Sequence, residues 1–319
     1  MTPRPVISVA IPAYNESANI DELATRLTSV FDGLADRYDF EVVICENGSQ
    51  DDTYERLLAL HDRDPRFKVI QLVRNFHMEG GMLAALDHVT GDACVIMSAD
   101  LQDPPELIPQ FVEKWEEGFE IVFSVITKRH GESIFRRAAA QAFYWLINRV
   151  SDTPVPPNAS DFRLVSRDAY TAFNDLSERF RMVRALWGWL GFRSTGIEYE
   201  REERAGGASK FNAFATAGFA IRSILASSFR PLAIAPVIGL TLSALSFLGL
   251  SGIIVRAVFF GVPFPGFGTL VALQLLLFGF LFLILGMISE YVGLTFNEVR
   301  GRPRYLVRRL HGPTRSERG

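Results

Sequence analysis

Cysteine is nearly missing from this chain, and its scarcity removes whole classes of function. Only Cys45 and Cys94 occur in 319 residues. Both fall inside apolar, strand-like runs, so neither a disulfide framework nor a metal-ligand spacing is available, and buried reduced thiols are expected. The five histidines form no metal-binding pattern either. An excess of one charge is lacking as well: the net charge is −3, without the basic field of a nucleic-acid binder. No internal repeat or low-complexity tract is evident. At the front, Val6 to Ile11 is too short for the apolar core of a signal peptide and runs into Pro12. The amino-terminal region is therefore expected to stay in the cytoplasm.

What the chain does have is apolar material, 48% of its residues. Two stretches, Leu232–Val255 and Thr269–Ser289, carry no charge and are each long enough to cross a bilayer core of about 30 Å. Arg256 and the Pro/Gly-rich stretch Gly261–Gly268 form the expected turn between them. Beyond Glu290 arginines dominate (Arg300, Arg302, Arg304, Arg308, Arg309), which the positive-inside rule places in the cytoplasm. The expectation is a two-span hairpin with the amino-terminal domain and both termini cytoplasmic. Gly249, Gly252 and Ser243 or Ser246 offer small faces on which such helices could self-associate into a homo-oligomer.

Residues 6 to 126 alternate strand-like and helix-like patterns, the mark of an α/β fold with a mainly parallel sheet. Strands are expected at Val6–Ile11, Phe40–Cys45, Lys68–Val73, Ala93–Met97 and Glu120–Val125. Helical spacing appears at Ile20, Leu23, Leu27 and Val30, at Tyr54, Leu57 and Leu60, and at Met82, Leu83 and Leu86. Ligands of such sheets bind beyond the carboxyl ends of the strands. Three polar stretches lie there: Pro12–Glu16, Glu46–Asp52 and Ser98–Asp103. In an extended backbone Ser98, Asp100 and Gln102 share a face, three oxygen donors suited to a hard divalent ion, while Asp103 points away or caps the next element. The plainer alternative is an Asp-Pro turn opening a helix over Glu106–Glu117. For Pro12–Glu16 the alternative is a helix-start turn capped by Asn15 or Ser17.

Pro12-Ala13-Tyr14-Asn15-Glu16, the Gly48-Ser49 turn, Arg74-Asn75-Phe76 and Ala99-Asp100-Leu101-Gln102-Asp103-Pro104-Pro105-Glu106 together resemble glycosyltransferase family 2, whose fold is GT-A, Rossmann-like with a mainly parallel sheet. Ser160-Asp161-Phe162-Arg163-Leu164, Gly207-Ala208-Ser209-Lys210-Phe211, the two carboxy-terminal spans, Glu290-Tyr291 and Arg302-Pro303-Arg304-Tyr305 narrow the resemblance to the polyisoprenyl-phosphate glycosyltransferases, relatives of dolichol-phosphate mannose synthase. The resemblance implies a donor site in which Pro12, Tyr14 and Glu16 hold the nucleoside. Asp100 and Gln102 then hold Mg2+ or Mn2+ on the diphosphate. Three positions depart from the family pattern. Glu46-Asn47 stand where the family has Asp-Asp, still as donor-site residues. Ser98 stands for the first metal-motif Asp, reaching the ion weakly or through water, and Ile126 replaces an Arg whose charge Lys128 and Arg129 would supply.

The resemblance further implies that Arg136 and above all Arg137, on an amphipathic helix over Ser133–Arg149, meet the acceptor phosphate. Asp161 is treated in part of the family as the catalytic base. Because a lipid monophosphate is already anionic near neutrality, with a second pKa of about 6, Asp161 would alternatively orient Arg163 or the acceptor. Trp187, Trp189, Leu190 and Phe192 read as packing rather than as a sugar platform. Arg204, Ser209 and Lys210 lie in a glycine-hinged basic loop fit to close on diphosphate. Phe211, Phe214, Gly218, Ile221 and Leu225 recur as in a helix lying on a membrane surface. The expected organisation is a cytosolic catalytic domain (1–210), an interfacial helix (211–230), two spans within 231–290 and a basic tail (291–319). The expected activity is transfer of a sugar, in first place glucose from UDP-glucose, to a polyisoprenyl phosphate at the cytoplasmic membrane face, metal-dependent and inverting. The expected catalytic set is Asp100, Asp161 and Arg129. Alternatives are a glycosyltransferase acting on another glycolipid or polysaccharide, and an inactive nucleotide-binding scaffold.

Overall fold

Strand β1 (Val6–Ala13) is an apolar run buried on both faces, which suits an inner strand of a parallel sheet. On one side it pairs in parallel with β2 (Asp39–Glu46), which pairs in parallel with β3 (Phe67–Leu72); on the other it pairs in parallel with β4 (Ala93–Ile96). The order β3-β2-β1-β4 means that the chain reverses its direction of travel across the sheet between β1 and β4. A crevice opens beyond the carboxyl ends of strands at such a switch point. The computed structural model describes residues 3–129, 149, 159–176, 183–201, 230–260 and 267–312.

Four further strands complete the sheet, in the order β7-β5-β6-β4-β1-β2-β3-β8. Strand β6 (Ala159–Ser166) lies antiparallel between β4 and β5 (Ile121–Arg129), and β7 (Ser194–Arg201) runs parallel to β5. Strand β8 (Val307–His311) is antiparallel to β3. The carboxyl ends of β1 to β5 and β7 therefore share one edge, and β6 and β8 start from it. Helices cover both faces. Helices α1 (Ile20–Asp32), α2 (Thr53–Arg63) and α4 (Ile108–Glu116) pack Leu27, Leu57 and Phe111 against Ile7, Val9 and Ile11. Helices α3 (His77–Asp87), α5 (Arg167–Asp175) and α6 (Val183–Trp189) pack Leu86, Phe173 and Trp187 on the other face, with Ala10 and Val43. This is the expected α/β architecture, a mixed, mainly parallel sheet of GT-A type.

Away from the crevice, the sheet buries a polar cluster. The Lys68 ammonium donates to Glu41 Oε2 at 2.5 Å, Ser8 Oγ donates to Glu41 Oε1 at 2.5 Å, and Thr90 donates to both oxygens. Burial alone would raise the Glu41 carboxyl, but the hydrogen bonds from Lys68, Ser8 and Thr90 outweigh it and hold the group below the ordinary carboxylate range.

The tail departs from its expected form. The segment from Arg302 belongs to the same unit as the sheet, and β8 is its edge strand. Tyr305 donates to Asp87 Oδ2 at 2.7 Å, the Arg304 guanidinium donates to the Leu176 carbonyl, and His311 Nε2 meets the Tyr54 hydroxyl at 3.0 Å. The positive charges of this stretch were legible in sequence, but its partner strand was not.

The second unit contains α7 (Arg230–Phe260) and α8 (Phe267–Val299). Both are longer than the uncharged runs that announced them. At 1.5 Å per residue, α7 spans about 46 Å, more than a bilayer core. Among the described residues, Leu276–Val299 has the length and apolar character to cross a membrane, and Val237–Gly249 is a shorter apolar stretch. The expected helices over Ser133–Arg149 and 211–230 lie outside the described residues, apart from Arg149 and Arg230.

Candidate active site at the carboxyl edge of the sheet

Each of the first four strands is followed by a residue in the left-handed region: Asn15 (φ 55°), Gly48 (φ 72°), His77 (φ 62°) and Leu101 (φ 58°). Non-glycine residues in that region cost about 1–3 kcal/mol each and persist where their surroundings over-determine them, commonly at functional sites. Three of the four here are not glycine. The strain is concentrated where the topology opens its crevice.

After β1, Tyr14 is exposed and Glu16 is half-buried. Neither Asn15 nor Ser17 caps a helix, since no side-chain cap bond forms at Glu16 or Asn19. Asn15 instead stitches this turn to the next: its amide N–H donates to Ser49 Oγ at 3.0 Å and its Oδ1 accepts from the Gln50 N–H at 2.8 Å. Glu16 N–H donates to Thr53 Oγ1, and the Asp51 carboxylate accepts from Ser17 and Thr53. Partial burial raises the Asp51 carboxyl, but these bonds hold it below the ordinary range. Pro12 is half-buried, and Gly81 of α3 lies so near that a Cβ there would be 3.2 Å from Pro12 Cβ.

After β2, Glu46 and Asn47 are almost fully buried. Glu46 Oε1 accepts from the Ser49 N–H at 2.5 Å, which closes the turn. Asn47 is 2% exposed and bridges to the β3 loop, its Oδ1 accepting from Phe76 N–H at 2.9 Å and its Nδ2 donating to the His77 carbonyl at 2.7 Å. Both amide atoms are thus committed to holding residues 76–77. As folded, the expected donor-site pair Glu46-Asn47 braces the turns after β2 and β3. Gly48 could not carry a side chain, because a Cβ would fall 2.6 Å from the Arg74 and Asn75 backbone. Arg74 is exposed, its guanidinium 4.1 Å from the Phe76 ring centroid.

After β4, the chain turns instead of staying extended, because Leu101 adopts φ 58°. The burial alternation expected of an extended segment nevertheless survives. Ser98, Asp100 and Gln102 are half-buried, while Ala99, Leu101 and Asp103 are buried. Asp100 Oδ1 accepts from the Gln102 N–H at 3.2 Å. Asp103 neither caps a helix nor faces solvent; at 3% exposure it accepts a 3.0 Å hydrogen bond from the Tyr199 hydroxyl. Among the described residues no group of three or more His, Cys, Asp or Glu could hold a metal ion. One carboxylate beside an amide and a hydroxyl matches a hard cation that keeps waters and binds phosphate oxygens.

Strand β6 brings its first residues to the same edge. Its register pairs Arg163 with Ile96, so Asp161 lies two residues further out, as Ser98 does from β4. Asp161 is half-buried. Arg163 is 3% exposed and turns back on its own strand, donating to the Ser160 carbonyl at 2.7 Å and the Asp161 carbonyl at 3.3 Å. These bonds tie it to the first residues of β6, and its guanidinium lies 3.9 Å from Asp161 Oδ1. Ile126 is buried, and Lys128 and Arg129 end β5 in register with Glu200 and Arg201 of β7. Arg136, Arg137, Arg204, Ser209 and Lys210 lie outside the described residues. Of the aromatic cluster, Trp187 stacks on Phe173 at 4.0 Å and Trp189 is exposed. What sequence reading missed here was Tyr199, a strand residue whose hydroxyl has a partner only in three dimensions.

Residues 8–173 match the model of glycosyl transferase family 2. An uncharacterized glycosyltransferase of Synechocystis is 37% identical over 96% of this chain and 96% of its own length. The bactoprenol glucosyl transferase of Shigella phage SfX is 34% identical over 95% of this chain and 98% of its own. Among solved structures, a mannosyltransferase of Pyrobaculum calidifontis in complex with GDP-Man and Mn2+ matches 95% of this chain and 89% of that one, at 17% identity and a TM-score of 0.45. With the family model matching just over half of the chain, through β1 to β6, and full-length relatives above 30% identity, the chain belongs to glycosyl transferase family 2 and is a glycosyltransferase related to the bactoprenol glucosyl transferases.

Proposed function

We propose that this glycosyltransferase moves a glucosyl group from UDP-glucose to a polyisoprenyl phosphate at the cytoplasmic face of a membrane, with inversion. The observation that carries the reading is the convergence of four left-handed turns on one sheet edge, with Ser98, Asp100 and Gln102 accessible while the residues between them are buried. The glucosyl group and the bactoprenol-type acceptor are favoured by the name of the phage relative.

Tyr14 offers an exposed ring to the donor's base, and Glu16 a carboxylate to its sugar hydroxyls. An acceptor phosphate oxygen attacks the anomeric carbon as the bond to the diphosphate breaks, and the bonding pair leaves with the nucleoside diphosphate. Asp100, with Gln102 and, through water, Ser98, would hold Mg2+ or Mn2+, which offsets charge on that leaving group. Lys128, Arg129, Arg204, Ser209 and Lys210 would bind diphosphate, and Arg136 and Arg137 the acceptor phosphate. The acceptor is already anionic, so Asp161 orients it rather than deprotonating it, at the start of the strand in which Arg163 lies.

Membrane attachment is supported by Leu276–Val299, long and apolar enough to cross a bilayer, and the pairing of β8 with β3 limits the number of crossings. A chain that enters the sheet at β1 and returns to it at β8 must cross a bilayer an even number of times. With Leu276–Val299 as one span, we assign the other to α7, which carries the apolar stretch Val237–Gly249, so that the catalytic domain and tail share the cytoplasmic side. Full-length protein in detergent with polyprenyl phosphate, Mg2+ or Mn2+ and a panel of sugar nucleotides is expected to yield a lipid-linked hexose by mass spectrometry. No lipid-linked sugar from any donor overturns the reading. Asp100→Ala is expected to abolish turnover; retained turnover overturns its metal role.

A further inference from the structure

The turn that carries Asp100 and Gln102 is held in a backbone conformation it would not choose alone. Leu101 has φ 58°, in the left-handed region that favours glycine, and its side chain, 5% exposed, is drawn into the core. On the near side the turn is fixed by the Gln102 N–H to Asp100 Oδ1 bond. On the far side it is fixed by Asp103, whose Oδ1 accepts from the Tyr199 hydroxyl at 3.0 Å, both residues being buried.

Tyr199 is well placed to transmit order. Its carbonyl accepts from Thr127 Oγ1 at 3.1 Å, and its ring packs edge-on against Phe162, which in turn meets Phe111 of α4. It is in register with Ile126, two residues before the position of Lys128. Two residues after it, β7 ends at Arg201, and the chain continues toward Arg204, Ser209 and Lys210. One hydroxyl therefore joins the turn bearing Asp100 to the strand that leads into the basic segment.

We propose that Tyr199 is a positioning residue for catalysis: its hydrogen bond to Asp103 holds the left-handed turn at Leu101 in the form that aims Asp100 and Gln102 at a divalent cation on the donor diphosphate. The inference rests on the functional reading above and adds a residue that touches neither donor nor cation. Losing the hydroxyl leaves the ring packing intact, so the fold is kept while the turn is released.

The test uses full-length protein in detergent and three variants. Tyr199→Phe and Asp103→Ala are expected to raise the Mn2+ concentration for half-maximal turnover about tenfold, a difference of about 1.4 kcal/mol in cation affinity. Hydrogen exchange over residues 98–105 is expected to quicken in both. Asp103→Asn keeps a carbonyl acceptor for the hydroxyl and is expected to stay within twofold of wild type. Melting temperature should fall by no more than a few degrees in Tyr199→Phe, about what one buried hydrogen bond accounts for, which separates positioning from a general loss of fold. The proposal is overturned if Tyr199→Phe leaves both Mn2+ dependence and exchange unchanged, or if it melts early with kcat and Mn2+ dependence falling together as Asp103→Asn does the same. A wild-type chain whose turnover ignores divalent cations brings down the metal reading of the site and this proposal with it. A metal-dependent wild type beside an unaltered Tyr199→Phe brings down the proposal alone.

Discussion

Asn47→Asp separates a residue that touches the donor from one that builds the site. The substitution changes one atom of a 2% exposed side chain. The oxygen that accepts from Phe76 N–H is retained, but the amide that donates to the His77 carbonyl at 2.7 Å becomes a second acceptor facing an acceptor. The loss comprises one buried hydrogen bond with an unsatisfied partner, about 1–3 kcal/mol, and the cost of a carboxylate placed out of water. Residues 76–77 can lift toward solvent and rehydrate, which caps the total at about 2–4 kcal/mol. If the loss were expressed globally, a domain of this size would melt about 5–15 °C lower. If it is expressed locally, the Phe76 amide should exchange about 30- to 1000-fold faster while the melting temperature moves little, since each 1.4 kcal/mol is tenfold. Hydrogen exchange over residues 73–80 and thermal melting of the full chain, both without donor, decide between these. If donor binding is lost while exchange and melting are both untouched, Asn47 contacts the donor directly and the bracing argument fails.

Gly48→Ala should cost more in donor affinity than in melting temperature. Its φ of 72° and the 2.6 Å approach of the Arg74 and Asn75 backbone force the two turns apart, with about 1–2 kcal/mol from the left-handed strain alone; donor titration beside a melt checks this, and wild-type affinity would refute it. The buried Glu41 cluster sets an acid limit on stability. Because Glu41 titrates below the ordinary carboxylate range when folded, its contribution is fully present above that range and is lost as pH falls through the lowered value. Glu41→Gln should flatten the melting-temperature profile at the acid end. It should also destabilise the fold at neutral pH by about 3–5 kcal/mol, since Lys68 is left buried without its carboxylate. A profile parallel to wild type would refute the assignment.

Where the pattern repeats locally, the sequence announced the fold. Val6–Ile11 and Ala93–Met97 are apolar without alternation because both faces of inner parallel strands are covered, and Leu23, Leu27 and Phe31 recur at helical spacing because one face of α1 is buried. Strands β6, β7 and β8 were not anticipated as sheet members. An antiparallel insertion and an edge strand supplied from near residue 307 depend on partners far away in sequence, and no local period encodes them.

The same division runs through the site. Order along the chain was enough to bring Tyr14, Glu16, Asp100 and Gln102 to the carboxyl edge, because parallel strands joined by helices deliver every strand end to one side; Asp161 reaches it only through the antiparallel pairing of β6 with β4. Which polar side chains face the crevice and which hold the turns up was decided only by tertiary contact. Asn47 and Arg163 have the chemistry of ligands, yet in the fold Asn47 bonds backbone groups of residues 76–77 and Arg163 bonds carbonyls of its own strand. Tyr199 reads as an ordinary strand residue until a buried Asp103, 96 positions earlier, needs a donor. Sequence determined the residues that reach this edge, since that follows from connectivity; structure determined their roles, since a buried polar atom must be paired and its partner is set by the packing.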